Sequence, residues 1–303
     1  MFKISLLGSG GTMPLPGRNL TAMLGSYNGR MILIDCGEGT QVALKSLGWG
    51  IKKIDLICLT HYHPDHIVGL PGLLSTMGNS DRKEKVTIMG PIGLKKIIKG
   101  MMVILPYLPF ELELVEIKEE GMDEFKFNEY TIKAIYTDHS VPCVSYCIEI
   151  KRNKKFNKEK AEALNIPVTY WNKIQNGYEV VLNDKVITPD MVLGDNRKGL
   201  KVCYCTDTRP SNSIVNFARN SDLFICEGMY GEDTYLEKAM NNKHMLFSEA
   251  ATMAKKSEAK ELWLTHFSPS LNSPEEFLPR AKDIFENTHL GKELMCKDLN
   301  FKV

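Results

Sequence analysis

Histidine is scarce in this chain, yet three of its seven histidines lie within one six-residue stretch. Residues 60–66 read THYHPDH and follow an apolar run, Asp55–Thr60, which predicts a buried strand. Imidazole and carboxylate side chains at this density are typical of a site for Zn²⁺ or a similar divalent ion. Their spacing does not fit one helix face, so we expect a loop at the strand end to direct them toward a common centre.

Four more polar side chains follow predicted strands elsewhere in the chain. Asp207 follows VCYCT, Glu227 follows LFIC, His266 follows LWLT, and His139 comes after the strand predicted at 130–136. Each of them alone is well explained as a hydrogen-bonded polar residue at a strand end. Together they predict one site, because the carboxyl ends of neighbouring strands in an open α/β sheet meet at the edge where ligands bind.

The number of candidate ligands indicates whether the site would bind one metal ion or two. The candidates are His61, His63, Asp65, His66, His139, Asp207 and His266. One four-coordinate ion cannot use seven ligands, whereas two ions bridged by Asp207 would use them all. In that scheme His61, His63 and His139 bind one ion, and Asp65, His66 and His266 bind the other. Two divalent ions roughly 3.5–4 Å apart suit the hydrolysis of a phosphodiester.

The composition limits the classes of protein to be considered. The chain has 303 residues, 43% of them hydrophobic and 25% charged, which excludes disorder, collagen and coiled coil as its main structure. Its longest apolar stretch is too short to span a membrane, and residues 1–20 do not form a secretory signal. Most of the eight cysteines lie in apolar runs, so we expect buried free thiols and a cytoplasmic protein.

Residues 151–199 form the least regular part of the chain. They begin with a run, 151–160, that carries six basic side chains and one acidic one, although the net charge of the whole chain is only +1. We interpret 151–199 as an insertion that projects from a single domain spanning 1–303. A charge run of this kind is either a solvated surface or a contact for a polyanion.

Several segments resemble one family closely. The THYHPDH segment, with Asp35, His139, Asp207 and His266, resembles the metallo-β-lactamase superfamily and, within it, the ribonuclease Z family of tRNA 3′-trailer endonucleases. The segments DCGEGTQ at 35–41, HIVGLPGLL at 66–74, DTRP at 207–210 and LTHFS at 264–268 extend the resemblance over nearly the whole chain. It implies an α/β fold of the four-layer αββα sandwich type, two zinc ions (with Mn²⁺ or another divalent ion as alternatives), a homodimer, and precursor tRNA as substrate.

The resemblance also implies catalytic residues beside the metal ligands. Glu227 corresponds to the glutamate of a family motif, HEAT, that orients a later histidine, which is His244 here; the motif itself reads CEGM. Asp65 is the third residue expected to act in catalysis. A leaving 3′-oxygen needs a proton, and a histidine held by a carboxylate can supply it. The alternative is that His244 caps a helix predicted at 244–257.

Candidate substrate-binding residues are less strongly indicated. A family loop of pattern PxKxRN appears as PLPGRN at 14–19, which makes Arg18 and Asn19 candidates and puts Pro16 in place of the lysine. The family's tRNA-gripping arm corresponds to 151–199. The remaining candidates are Arg209, Lys151, Arg152, Lys154 and Lys155. A small-molecule hydrolase of the same superfamily and a catalytically silent RNA-binding module remain the competing hypotheses.

Overall fold

Two seven-stranded sheets stack face to face in the computed structural model, which describes residues 1–119 and 121–301. The strands are β1 (Phe2–Gly8), β2 (Ala22–Tyr27), β3 (Arg30–Ile34), β4 (Ile54–Cys58), β5 (Val86–Gly90), β6 (Leu112–Glu116), β7 (Met122–Phe127), β8 (Tyr130–Thr137), β9 (Cys143–Arg152), β10 (Val180–Leu182), β11 (Lys185–Ile187), β12 (Arg197–Cys205), β13 (Leu223–Glu227), β14 (Leu262–Thr265), β15 (Thr288–Leu290) and β16 (Met295–Leu299). The first sheet has the order β16-β1-β2-β3-β4-β5-β6 and the second the order β15-β14-β13-β12-β9-β8-β7.

The described residues also form eleven α-helices. They are α1 (Thr40–Leu47), α2 (Pro64–Ile67), α3 (Leu70–Asn79), α4 (Leu94–Met101), α5 (Lys158–Ala163), α6 (Val168–Gln175), α7 (Pro189–Val192), α8 (Asn212–Phe217), α9 (Leu236–Asn242), α10 (Phe247–Lys256) and α11 (Leu278–Ile284). Apolar side chains of α1, α3 and α4 share a core with the first sheet, and those of α8, α10 and α11 share one with the second. The predicted αββα sandwich is therefore confirmed.

Alternating side chains fill the two sides of each sheet. In β3, Ile32 and Ile34 point into the core between the sheets, whereas Met31 and Leu33 join the core under the helices. Tyr130 in β8 ties the sheets together, because its hydroxyl donates to the Arg30 carbonyl at 2.8 Å and accepts from the Tyr27 amide at 2.9 Å.

Parallel strands determine where polar residues can gather. In the first sheet β3, β4 and β5 run parallel, and in the second β12, β13 and β14 do so. The carboxyl ends of each set therefore lie along one edge of its sheet.

The insertion at 151–199 leaves the second sheet between two paired strands. β9 ends at Arg152, directly opposite Arg197 at the start of β12. The segment between them has its own apolar cluster, which includes Ala161, Ile174 and Val192 and is separate from the cores of the sheets. It contains the antiparallel hairpin β10–β11 and, before it, the helix α6.

Two local predictions were wrong. The helix predicted at 244–257 begins only at Phe247, since Leu246 is extended and forms an isolated bridge with Tyr230. The cysteines are not all free thiols, because Cys147 and Cys203 form a disulfide between directly opposed positions of the antiparallel strands β9 and β12. Cys296 is free but exposed rather than buried.

Candidate metal centre

The seven candidate ligands come together at one end of the two sheets. His61, His63, His139 and Asp207 form one group in which the donor atoms lie within 4.8 Å of one another; Asp65, His66 and His266 form a second group. A third such group joins Asp207 and His266 with His244, which the sequence reading had placed outside the ligand set.

Short connections after the strands position these side chains. His61 and His63 follow β4, whereas Asp65 and His66 belong to the single-turn helix α2, which starts with Pro64 where a loop was expected. Asp207 and His266 follow β12 and β14 and have left-handed backbones, with φ of 53° and 59°. Such angles are uncommon outside glycine and recur at functional sites, where the surrounding packing enforces them.

The first group brings three imidazoles to one carboxylate oxygen. His61 Nε2 lies 3.0 Å from His63 Nδ1, which in turn lies 3.3 Å from His139 Nε2. Asp207 Oδ2 lies 3.5 Å from the His61 nitrogen and 3.8 Å from the His139 nitrogen.

The second group uses the other oxygen of the same aspartate. Asp207 Oδ1 lies 3.3 Å from His66 Nε2 and 3.1 Å from His266 Nε2, and these two nitrogens are 3.1 Å apart. Asp65 Oδ2 completes the group at 3.6 Å from the His66 nitrogen and 3.3 Å from the His266 nitrogen. Asp207 therefore lies between the two groups, with one oxygen facing each.

These spacings fit divalent ions with nitrogen and oxygen ligands. A tetrahedral ion with bonds of about 2.0–2.1 Å separates its ligand atoms by roughly 3.3–3.4 Å. The separations of 3.0 to 3.8 Å within both groups match that geometry. The residues present can therefore hold divalent metal, with Asp207 as a bridge.

Hydrogen bonds behind the ligands fix which ring nitrogen faces the centre. His66 Nδ1 donates to Asp35 Oδ2 at 2.9 Å, and the Thr60 amide donates to Asp35 Oδ1 at 2.8 Å. The Thr60 hydroxyl donates to Asp35 and lies 3.1 Å from His61 Nδ1, from which it accepts. Both rings therefore turn Nε2 toward the centre, the orientation that metal-binding histidines adopt.

Backbone features hold two more of the rings, those of His139 and His266. His139 Nδ1 donates to the Lys243 carbonyl at 3.3 Å, which leaves its Nε2 for the centre. Gly11 packs so closely on His266 that an added Cβ would lie 2.7 to 2.9 Å from three ring atoms. Only glycine leaves room for the ring at this position.

The imidazoles of the first group are neutral ligands. Burial lowers the pKa values of His61, His63 and His139 below the ordinary value for histidine. Neutral imidazole offers the lone pair that a metal ion binds, so this group is prepared for a cation at neutral pH.

The pKa of His66, in the second group, shifts in the opposite direction. Burial disfavours its charged form, but the carboxylates of Asp207 and Asp35 outweigh burial and raise its pKa well above the ordinary value. Burial likewise opposes ionisation of Asp207, yet His266, His66 and His61 hold the pKa of its carboxyl well below the usual range. The second group thus balances buried negative charge with a proton on His66, and a bound cation would take over that role.

Glu227 and His244 form the predicted pair beside the metal groups. His244 Nδ1 lies 3.0 Å from Glu227 Oε2, which also accepts from the Met245 amide at 3.2 Å. The Glu227 side chain is fully buried and that of His244 is 12% exposed. Burial opposes the imidazolium, but the charge and hydrogen bond of Glu227 outweigh it and raise the pKa of His244 to about 9.

Three of the candidate substrate-binding residues have partners within the chain. Arg18 Nη1 donates to the carbonyls of Ser268 and Leu271. The Asn19 side chain donates to the Leu7 carbonyl at 3.2 Å. Arg209 pairs with Glu249 and also donates to the His244 carbonyl. The structure therefore gives these residues positions that support the site from behind, a role that the sequence did not indicate.

The basic candidates of the insertion lie far from the metal groups. Cys143, at the start of β9, has its sulfur 3.8 Å from His61 Nδ1, whereas Arg152 ends the same strand. Nine residues of strand separate the two by roughly 30 Å. Lys151 and Lys155 are exposed, Lys154 pairs with Asp190 at 2.8 Å, and the Arg152 guanidinium lies 5.4 Å from the centre of the Phe301 ring.

The charge of Glu227 predicts how His244 titrates. Because the pKa of His244 is raised to about 9 in the folded chain, the pair stabilises the fold fully below pH ~6.5 and loses this contribution as pH rises through the raised value. Glu227→Gln should lower that pKa toward the ordinary value, measured by NMR titration of the imidazole in metal-free protein. Glu237→Gln, at an exposed position of α9, should leave the titration unchanged; an unchanged pKa in Glu227→Gln would contradict the pairing.

One known family matches part of the chain, and solved structures of the same fold match nearly all of it. Residues 2–166, just over half of the chain, match the family described as anti-Pycsar protein Apyc1, a match that ends before Asp207, Glu227 and His244. Solved structures with the same fold include the metallo-β-lactamase fold protein YhfI from Bacillus subtilis (TM-score 0.71, 20% identity, 98% of each chain covered). Human tRNase Z, short form, is also similar (TM-score 0.69, 24% identity, 99% of this chain and 100% of that chain covered).

Relatives of higher identity extend over the whole chain. The ribonuclease Z of Clostridium acetobutylicum is 53% identical over 307 residues, covering 100% of this chain and 99% of that protein. The ribonuclease Z of Clostridium kluyveri is 54% identical over 302 residues, covering 100% of both. No helix among the described residues is both long and apolar enough to cross a bilayer. With full-length identity at this level, the chain belongs to the ribonuclease Z family.

Proposed function

We propose that this protein is a metal-dependent endoribonuclease that removes the 3′ trailer from precursor tRNA and leaves a 3′-hydroxyl on the tRNA. The observation that carries this proposal is the pair of donor groups bridged by Asp207, with His244 held at their edge by Glu227. The full-length relatives named ribonuclease Z favour this function over a small-molecule hydrolase. They also favour it over a catalytically silent RNA-binding module.

We propose two zinc ions per chain as the resident metal. His61, His63 and His139 would hold one ion and Asp65, His66 and His266 the other, with Asp207 shared between them. When bound, such a pair supplies a nucleophilic hydroxide near neutral pH and neutralises charge on the phosphate oxygens. We also propose that Asp65 acts beside the nucleophile. Burial opposes ionisation of its carboxyl, but the hydrogen bond and charge of His266 keep the pKa low, so the carboxylate stays ionised at neutral pH.

His244 is the proposed donor of the proton that the leaving 3′-oxygen requires. Its ring centroid lies 5.4 Å from that of His139 and 5.5 Å from that of His266, so it borders both donor groups. Its raised pKa keeps a proton on the ring at neutral pH. Glu227 accepts from Nδ1 and thereby orients the ring, and the other nitrogen, Nε2, is left to give its proton to the departing oxygen.

Arg209 acts on His244 through the backbone rather than on RNA. Its guanidinium donates to the His244 carbonyl and to Glu249 Oε2 at 2.9 Å. The second Glu249 oxygen pairs with the other guanidinium nitrogen, so the contact is bidentate. The arrangement fixes the extended segment that carries the proton donor, and we therefore assign Arg209 a positioning role.

The insertion at 151–199 is the proposed arm that binds the body of the tRNA, far from the cut. Its basic side chains lie at the end of β9 remote from the metal groups, which suits a contact with phosphates distant from the scissile bond. Lys151, Arg152, Lys154 and Lys155 are the proposed contacts. We further propose that the protein acts as a homodimer in the cytoplasm, where precursor tRNA is found.

Metal removal tests the function directly. Metal-loaded protein should cut a precursor tRNA at its 3′ trailer, and a chelator should abolish cleavage. Elemental analysis should find about two divalent ions per chain, about one in His63→Ala, and close to none in Asp207→Ala, since only Asp207 serves both groups. His289→Ala, at a half-buried histidine outside the site, should keep the wild-type content. Active protein with one ion per chain would contradict the dinuclear proposal.

A change of leaving group tests the role of His244. On precursor tRNA, His244→Ala should lose roughly 10²–10⁴-fold in rate, because the 3′-oxygen would leave without a proton. A phosphodiester with an activated aryl leaving group needs no proton, so the same variant should hydrolyse it at nearly the native rate. Glu227→Gln should lose less than His244→Ala on the precursor.

Metal content decides between donor and ligand in this experiment. His244 lies close to Asp207 and His266, so a ligand role predicts loss of an ion from His244→Ala and slower hydrolysis of both substrates. Retention of both ions together with a loss confined to precursor tRNA supports proton donation.

The arm can be removed without breaking the sheet. Since Arg152 and Arg197 are directly opposed, replacing 153–196 with Asn-Gly should reconnect β9 and β12 by a tight turn. This variant should bind precursor tRNA more weakly and show a shallower dependence of binding on salt, because fewer phosphates are neutralised. Hydrolysis of the aryl phosphodiester should persist.

A second variant separates the effect of the arm's charge on tRNA binding from the effect of its shape. The double substitution Lys151→Gln and Lys155→Gln removes two exposed charges while keeping the arm. It should reduce the salt dependence by part of the amount seen on deletion. An equal loss of both activities on deletion would show that the segment supports the fold instead.

A further inference from the structure

A cavity of about 320 Å³ opens beside Tyr230, whose ring contacts that of the proposed proton donor His244. Tyr230 and Tyr235 line it from the segment after β13, and Phe277 lines it from the segment before α11. The Tyr230 ring meets the His244 ring edge-on, with centroids 6.4 Å apart. The cavity is thus separated from the proton donor by one aromatic ring, and its volume is at the lower end of the range typical of small-ligand sites.

The lining combines aromatic faces with neutral hydrogen-bonding groups. The Tyr230 and Tyr235 rings lie 5.8 Å apart at 36°, and the opposite wall offers Ser270, Asn272 and Ser273. Lys238 has its ammonium 5.1 Å from the centre of the Tyr230 ring and 5.6 Å from that of Tyr235, which holds the two rings in place. Aromatic rings stack on nucleobases, and hydroxyl and amide groups bond to base edges.

The charges around the cavity favour a base over a phosphate. Two carboxylates, those of Glu232 and Glu276, lie in its lining, and none of the described residues that line it is basic. The ammonium of Lys238, over the two tyrosine rings, offsets one of these carboxylates, so the lining still disfavours a phosphate relative to an uncharged base. The cavity therefore suits the base of a nucleotide whose phosphate lies elsewhere.

The loop that forms the far wall is held by Arg18. The Arg18 guanidinium donates to the carbonyls of Ser268 and Leu271, at 3.3 and 3.0 Å, and lies 5.9 Å from the centre of the Phe267 ring. The wall thus begins two residues after His266 and is fastened to the same framework as the metal groups. A base in the cavity would be positioned relative to the centre that cuts the chain.

We propose that this cavity binds the base of the nucleotide immediately 5′ to the scissile bond, the last nucleotide of the mature tRNA. The inference rests on the proposed function: if His244 gives its proton to the 3′-oxygen of that nucleotide, the base of the nucleotide lies close to the side chains around His244. Tyr230, whose ring contacts the His244 ring, lines the cavity, so the cavity is a space that this base can reach. Stacking on Tyr235, the exposed wall of the cavity, then helps to fix the position of the cut.

The test removes the ring from the protein and the base from the RNA. Cleavage of a precursor tRNA is compared with that of the same precursor made abasic at the nucleotide 5′ to the cut, using wild type, Tyr235→Ala and Tyr235→Phe. Wild type should lose about 10-fold or more in kcat/KM on the abasic substrate, and Tyr235→Ala should lose a similar factor on the intact one. The two changes combined should lose little more than either alone, because they remove the same contact.

Tyr235→Phe, Met240→Ala and the intact precursor serve as controls. Tyr235→Phe keeps the ring and should stay close to wild type, as should Met240→Ala, at an exposed position of α9 outside the cavity. Losses that multiply, or an abasic precursor cut as fast as the intact one, would overturn the assignment while leaving the nuclease function in place. Failure of wild type to cut the intact precursor would overturn the nuclease function and, with it, this assignment.

Discussion

Both donor groups depend on one buried carboxylate that they share. Asp207 presents Oδ2 to the first group and Oδ1 to the second, and the Thr206 hydroxyl donates to Oδ1 at 2.6 Å. An ionised carboxylate is unfavourable in a protein interior unless positive charge or hydrogen bonds offset its loss of water. Here the charge on His66 and the hydrogen bond from Thr206 supply that compensation.

The position of the carboxylate follows from the way the sheets are stacked. The first sheet supplies the ligands after β4, and the second supplies His139, Asp207 and His266 after β8, β12 and β14. The centre is therefore completed only when the two sheets pack, and the core between them determines the ligand distances. Tyr130 helps to fix the position of one sheet on the other, because its hydroxyl makes hydrogen bonds across the gap with the backbone of β2 and β3. Rigid strands with short connections hold ligands more precisely than a long loop would.

The sequence predicted the parts of this site that local patterns encode. The THYHPDH segment and the polar residues after apolar runs indicated both the sheet edge and the ligand types, since strand ends can be recognised from hydrophobicity alone. Contacts between distant segments could not be predicted in this way. The disulfide between Cys147 and Cys203 depends on the register of two strands, and the pairing of Arg209 with Glu249 depends on where α10 begins. Arg18 was expected to meet phosphate because its fastening of the 268–271 loop is invisible in sequence.

The segment at 243–246 connects the first donor group with the Glu227–His244 pair. Lys243 ends α9 with a left-handed backbone, φ 56°, and its carbonyl accepts from Nδ1 of the metal-ligand candidate His139. The next residue is His244, and the amide after it, of Met245, donates to Glu227. Leu246 is extended, and α10 begins only at Phe247, after both contacts have been made. The same short segment thus orients the His139 ring toward the first donor group and holds the His244 ring against Glu227, so the two rings share one support.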